Sequence, residues 1–156
     1  MTYALLKTIH VLSSTVLFGT GLGTAFFMWM ASRSQDRHVI AVVSGHVVKA
    51  DLYFTTPAVV LQPLSGFGLM WLSGYTMTFL PVNWLGLSLL LYFVAGACWL
   101  PVLGLQKRMH ELAAADPERP ALPMAYGKLF RWWTALGVPA FVSLLVVFWL
   151  MVAKPF

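Results

Sequence analysis

Long runs of apolar residues, interrupted by short polar segments, dominate this chain. About 20 apolar residues at a helical rise of 1.5 Å cross about 30 Å of hydrocarbon, so the pattern predicts membrane-spanning helices. Four spans are expected, at residues 3–31, 51–72, 84–105 and 130–152. An amphipathic run at 39–50 precedes the second span as a cytoplasmic extension. The expected fold class is all-α: an integral membrane four-helix bundle in one domain, residues 1–156, with sequential helices as neighbours.

Composition supports this membrane interpretation. Hydrophobic residues make up 60% of the 156 residues and charged residues only 10%, whereas soluble domains carry about 25% charged residues. The formal net charge of +5 does not require a nucleic acid partner, because basic residues gather in the cytoplasmic loops of membrane proteins. The single cysteine, Cys98, excludes an intrachain disulfide and a multi-cysteine metal site.

The basic residues are distributed unevenly between the predicted connections. Only Lys7 and Lys154 lie at the side of the chain termini. The other eight fall between spans one and two or between spans three and four: Arg33, Arg37, Lys49, Lys107, Arg108, Arg119, Lys128 and Arg131. Since cytoplasmic loops carry the excess of Lys and Arg, both termini are expected on the outer, periplasmic side.

His10 is the one histidine placed within a long apolar run. A buried imidazole in a membrane is costly without a partner, so His10 is either an interhelical hydrogen-bonding residue or a ligand or proton-transfer group. Helix rise puts His38, His46 and His110 about 30 Å away, at the cytoplasmic edge, so none of them shares a cofactor with His10. Partners are expected in the outer halves of the other spans: Met70, Trp71, Trp84, Ser88, Tyr92, Met151 and Lys154.

The first predicted span has a polar face and a glycine face. At about 100° per residue, one face carries His10, Ser13, Ser14, Leu17, Gly21 and Thr24. This face is expected to look into the bundle, where Ser13 or Ser14 would orient the imidazole. Gly19 and Gly23 lie almost opposite with small-xxx-small spacing. They either pack within the monomer or form a seam with a second copy or a partner membrane protein.

The second predicted span contains two prolines, Pro57 and Pro63, and should be an irregular helix. Gln62, near mid-membrane, either satisfies carbonyls that the prolines free or contacts a ligand. The sequence leaves the roles of Asp51, Gln62 and Cys98 open.

Several segments resemble known membrane families. Nearly the whole chain, through segments 19–23, 62–63, 96–101 and 154–155, is similar to a family of predicted integral membrane proteins of unknown function (domain of unknown function 2269). More distantly, the segment 5–11 around His10 resembles the first helix of the HemJ-type protoporphyrinogen oxidases, small membrane proteins with a b-type haem. Segments 54–58, 84–85 and 152–156 resemble later parts of the same oxidases.

The oxidase resemblance implies a haem b in the bacterial inner membrane, with His10 as the iron ligand. The oxidases have a lysine where Ser88 stands, a histidine near Ala97 and Cys98, and an Asn-Glu pair at 136–137, so only His10 carries over. Helix rise would place such a haem in the outer half of the membrane, five-coordinate or with a weak ligand such as methionine. Its expected surroundings are Ser13, Ser14, Met70, Trp84, Ser88 and Met151.

Two hypotheses from different classes follow. The first is a haem-b-binding, redox-type membrane protein of the HemJ-like class, not necessarily a porphyrinogen oxidase. The second is a non-catalytic membrane subunit or scaffold that meets its partner through Gly19 and Gly23. A cofactor-free transporter is a weaker third, because the sequence has no internal repeat and few intramembrane charges. The presence or absence of a haem absorption band separates the first two.

Overall fold

The computed structural model describes residues 1–75, 83–115 and 121–155. The secondary structure of this part of the chain is entirely helical, which confirms the all-α prediction for it. The α-helices are α1 (Thr2–Ser34), α2 (Arg37–Ala50), α3 (Thr56–Leu72), α4 (Trp84–Ala114) and α5 (Met124–Ala153), and a π-helix at Asp51–Thr55 joins α2 to α3. Arg119, one of the basic residues that predict the orientation, lies outside the described residues.

Three of these helices, α1, α4 and α5, are long and apolar enough to cross a membrane. They contain 33, 31 and 30 residues, and the predicted first, third and fourth spans lie within them. The predicted second span, 51–72, corresponds to the π-helix together with α3, which has 17 residues. The chain is therefore a helical membrane protein, while the four-helix bundle and the orientation of its termini stay predictions.

The chain divides into two compact units. The first unit comprises Met1–Phe27 and Lys49–Thr78, and so holds most of α1 with the π-helix and α3. The second unit comprises Met28–Val48 and Phe79–Phe156, and so holds the end of α1 with most of α2 and with α4 and α5.

The buried side of α1 follows the helical repeat. Ser13 and Leu17 are buried near its beginning, and Met28 and Ala31 near its end. Successive members of this set are 4, 11 and 3 positions apart. Each of these spacings is 3, 4 or a sum of threes and fours, so the four residues lie on one face of the helix. The face is the one that the sequence predicts to look inward from His10, Ser13 and Leu17.

The π-helix lies directly before a proline. The backbone N–H of Thr56 donates to the carbonyl of Asp51, five residues earlier. Pro57 is among the first residues of α3; it has no N–H, and its ring crowds the carbonyl four residues before it, Tyr53. A wider turn gives that carbonyl room, and the Thr55 hydroxyl adds a 2.8 Å bond to the Asp51 carboxylate. The predicted irregularity of the second span takes this form at Pro57.

In the second unit, α4 and α5 pack against each other. α4 begins with Asn83 as its N-cap, whose side chain accepts a 2.7 Å bond from the Gly86 N–H. The Lys154 ammonium, after the end of α5, lies over the Trp84 ring, 5.4 Å from its centre. The beginning of α4 thus meets the end of α5, and the two helices run antiparallel. On α4, the buried residues Ser88, Ala95 and Val102 repeat every seven positions, the spacing of left-handed helix packing.

Arg37 links the beginning of α2 to the end of α4 through hydrogen bonds. Its buried guanidinium donates to the carbonyls of Ala113 at 2.8 Å, Leu112 at 2.7 Å and Ala121 at 3.5 Å. The last carbonyls of a helix have no partner within it and carry partial negative charge, so a cation stabilises them.

The rest of α2 buries one face. Ile40, Ser44 and Val47 are buried on one face. Ser44 hydrogen-bonds the His110 imidazole at 3.0 Å. A Cβ at Gly45 would lie 3.1 Å from that ring, so the glycine lets α2 approach α4 closely.

Candidate functional site

His10 lies half-buried in the first unit, and both nitrogens of its ring have side-chain partners on α3. Nδ1 lies 2.9 Å from the hydroxyl oxygen of Ser65. Nε2 lies 3.1 Å from the amide nitrogen of Gln62. The imidazole therefore links α1 to α3 through two hydrogen bonds.

The partners of these groups determine which ring nitrogen carries the proton. The Ser65 hydroxyl donates to the Leu61 carbonyl at 2.7 Å, so it accepts from the Nδ1–H of His10. The amide nitrogen of Gln62 only donates, so Nε2 must accept. The Ser13 hydroxyl donates to the amide oxygen of Gln62, which agrees with this amide orientation. With the Gln62 amide in this orientation, the hydrogen bonds assign His10 as a neutral imidazole with its proton on Nδ1 and its lone pair on Nε2.

Close approach of α1 and α3 makes these bonds possible. A Cβ at Gly66 would lie 3.3 Å from Cε1 of His10, and a Cβ at Gly68 would lie 2.8 Å from Cδ2 of Leu6. Neither position leaves room for a larger side chain without a shift of its neighbour. Gln62, Ser65 and Gly66 share one face of α3 by their spacing of three and four. That face supplies both the hydrogen-bonding groups and the space for the imidazole.

The partners of His10 differ from those predicted. The group that orients the ring is Ser65, whereas Ser13 reaches it only through Gln62, and the Ser14 hydroxyl donates to the Val11 carbonyl at 2.7 Å. Gln62 bonds His10 and Ser13 instead of a carbonyl freed by a proline. Without a ligand, neither Ser13 nor Ser14 orients the ring directly, because their hydroxyls bond acceptors other than the ring.

Other residues of the predicted ligand set are distributed over both units. Met70 is on α3 in the first unit and half-buried. Trp84, Ser88 and Met151 belong to the second unit. Ser88 is buried there and its hydroxyl donates to the Trp84 carbonyl at 2.7 Å, one turn earlier on α4. Ser13 is the predicted member that joins the His10 network.

Three residues of the site were missed from the sequence: Ser65, Gly66 and Gly68. A signal for them exists. His10 is eight residues into α1 and Leu64 is eight residues before the end of α3, so equal helix rise places the segment around Leu64 opposite His10. The predicted partners Met70 and Trp71 lie nearer the end of α3.

The arrangement offers one neutral nitrogen ligand held in a fixed orientation. In the described residues, no group of three or more His, Cys, Asp and Glu side chains could hold a metal ion. These segments thus contain no cluster of side chains that could bind a metal ion without other ligands. A metal within an organic macrocycle needs only one or two protein ligands, and a single imidazole meets that need.

Comparison with protein families gives a match over almost the entire sequence. The matching family is described as predicted integral membrane protein (DUF2269), and its model covers residues 4–155. No curated protein and no solved structure matches the chain. The apolar composition, the long helices and this match agree, and the chain belongs to the DUF2269 family of integral membrane proteins.

Proposed function

We propose that this protein binds haem b through His10 and has a redox function in the membrane. The observation that carries the proposal is the neutral His10 imidazole, whose Nδ1–H is held by Ser65. Histidines that bind metals usually donate their second nitrogen to such an orienting group. The resemblance of the segment 5–11 to HemJ-type oxidases supports the same ligand.

The donor set fits one axial ligand. Nε2 has the lone pair that iron requires, and in the structure this lone pair accepts from Gln62. Binding of iron would require the Gln62 amide to rotate away, at the expense of one hydrogen bond worth about 1 kcal/mol. Gln62 would then be the group that satisfies Nε2 when no ligand is bound. With the amide rotated, Ser13 would lose its bond to the Gln62 amide and retain the His10 carbonyl, 3.0 Å away, as acceptor.

A bound haem would supply one-electron transfer at an iron whose protein ligand is a neutral nitrogen. The chain itself would hold the ring of His10 through Ser65. Of the residues expected around the haem, Ser13 and Met70 belong to the same unit as His10. Porphyrinogen oxidation is not part of the proposal, because Ser88 stands where those oxidases have a lysine.

The test is the absorption spectrum of the protein purified in detergent after expression with haem supplementation. We expect a Soret band in the wild type, its loss in His10→Ala, and its retention in His46→Ala. His46 is a fitting control because it is exposed on α2. A colourless wild type, or a band that persists in His10→Ala, would contradict haem ligation by His10.

A second candidate is a non-catalytic membrane subunit or scaffold. It is favoured by the complete hydrogen bonding of His10, which needs no ligand to satisfy its ring. In the first unit, no described atom lies within 4 Å of a Cβ built at Gly19 or Gly23, so this glycine face is open to a partner helix. Assembly through it predicts that Gly19→Leu and Gly23→Leu lower the mass of the purified complex in light scattering, whereas Gly96→Leu does not.

A further inference from the structure

An open groove runs between α4 and α5 in the second unit. It has a volume of about 570 Å³ and is lined at one end by Pro101, Leu105 and Leu136. The other end is lined by Lys107, Arg108 and Glu111. The groove thus changes from apolar to charged along the helix axes.

The distance from the apolar end of the groove to its charged end matches the length of the upper part of a lipid molecule. From Pro101 to Glu111 the helix rises about 15 Å at 1.5 Å per residue, the extent of a headgroup with its glycerol and the upper part of an acyl chain. Trp132 lines the side of the groove that α5 forms and is 63% exposed. Tryptophan side chains favour the level where acyl chains meet headgroups.

The charges at the polar end favour an anion. Lys107 and Arg108 are exposed, and neither forms an ion pair with another side chain in residues 1–75, 83–115 and 121–155. Together with Glu111 they leave a net charge of +1 on the rim. Two adjacent exposed cations suit a phosphodiester, and the carboxylate of Glu111 can accept bonds from the hydroxyls of a glycerol headgroup.

The floor of the groove is open because of Gly104. Apart from the backbone of α4 itself, no atom of the described residues lies within 4 Å of a Cβ built there, so an acyl chain could contact the α4 backbone at that point. Gly104 lies between the apolar end and the basic pair in sequence, one turn from Pro101 and one turn from Arg108.

We infer that this groove binds an anionic glycerophospholipid of the phosphatidylglycerol type. Its phosphate would lie between Lys107 and Arg108 and its acyl chain against Leu105 and Leu136, past Gly104. Basic pockets between transmembrane helices bind anionic headgroups through the same combination of charge and apolar surface. The site is independent of His10 and of any haem.

The experiment is native mass spectrometry of the full chain released from nanodiscs with equal amounts of phosphatidylglycerol and phosphatidylcholine. The wild type should retain one phosphatidylglycerol in preference to phosphatidylcholine. Lys107→Gln with Arg108→Gln should lower that preference about 25-fold, since each basic residue near an anionic surface contributes about fivefold. The matched control, Lys128→Gln with Arg131→Gln, removes two exposed cations of α5 outside the groove and should retain the preference.

A second pair of variants tests the acyl part of the site. Gly104→Leu should displace the lipid while leaving both cations in place, and Gly96→Leu, which also meets no atom within 4 Å, should not. Inorganic phosphate at millimolar concentration should not compete, because it lacks the acyl chain. Equal lipid retention in the two charge variants, loss of lipid in Gly96→Leu as in Gly104→Leu, or competition by phosphate would overturn the proposal.

Discussion

Nε2 of His10 and the amide nitrogen of Gln62 lie 3.1 Å apart, and the amide donates to the ring. The nitrogen that would bind iron in the proposed function is therefore the one occupied by a side chain that can rotate. The other nitrogen is held by a serine that is itself bonded to its own helix. One ring thus has an interhelical bond at each nitrogen, and only the bond from Gln62 competes with a ligand.

This relationship predicts that Gln62→Leu lowers stability without lowering haem content. Without haem, the variant should lose about 1–2 kcal/mol of the free energy of unfolding, because Nε2 and the Ser13 hydroxyl lose partners. Haem content per protein should not fall, since Nε2 is then free. Thermal unfolding and the Soret absorbance measure the two effects.

A matched control is Gln106→Leu. Gln106 is 4% exposed on α4, and its amide oxygen has no partner among the described residues. Replacing it should leave stability unchanged or raise it, because a buried unsatisfied acceptor is removed. Loss of the haem band in Gln62→Leu would assign Gln62 to the ligand instead of to the resting hydrogen bond.

Close packing of Leu6 on Gly68 predicts a steric effect that a second substitution relieves. Gly68→Ala should destabilise the protein by about 1 kcal/mol, because its Cβ would lie 2.8 Å from Cδ2 of Leu6. Adding Leu6→Ala should make the Gly68→Ala step neutral in a double-mutant cycle. Gly19→Ala, where the space is open, should be neutral or stabilising, and an equal loss there would mean that helix flexibility matters more than the contact.

Because the Arg37 guanidinium bonds the last carbonyls of α4, we expect its replacement to lower the free energy of unfolding strongly. Arg37→Met should cost about 2–4 kcal/mol, since hydrogen bonds from a charged group to two carbonyls at 2.7–2.8 Å are lost. Arg33→Met removes an exposed guanidinium that lies 4.9 Å from the centre of the Trp29 ring and should cost less than about 1 kcal/mol. Thermal unfolding in detergent compares the two. Similar losses would show that positive charge near this end, and not the cap, provides the stabilisation.

The uneven distribution of basic residues predicts the membrane orientation. In a Cys98→Ser background, Thr2→Cys should react with a membrane-impermeant maleimide on intact spheroplasts, and Ala115→Cys should react only after lysis. Cysteine at Ala115 tests the connection between α4 and α5 directly, because Ala115 follows the last residue of α4. Labelling of Ala115→Cys in intact spheroplasts would reverse the predicted topology.

Much of the architecture follows from the sequence for simple reasons. Apolar length alone places α1, α4 and α5, and the spacing from His10 identifies the buried side of α1 at Ser13 and Leu17. The level of Gln62 and Ser65 could also be obtained by counting helix rise from the end of α3. Their direction could not, because the angular position of one helix against another depends on packing between residues far apart in sequence. The contacts of Gly66 and Gly68 are of this kind.

The π-helix at Asp51–Thr55 makes the site tolerant of one change in chain length. A π turn contains about one residue more than the α turn it replaces, so deletion of Leu52 would allow a regular α-helix through this segment. Because the wide turn takes up the lost residue, the helix beyond it would keep nearly the same orientation, and the residues of α3 that contact α1 would still face it. Deletion of Val60, within the regular turns of α3, would instead rotate everything beyond it by about 100°. Gln62, Ser65, Gly66 and Gly68 would then turn away from α1, although none of them had been changed.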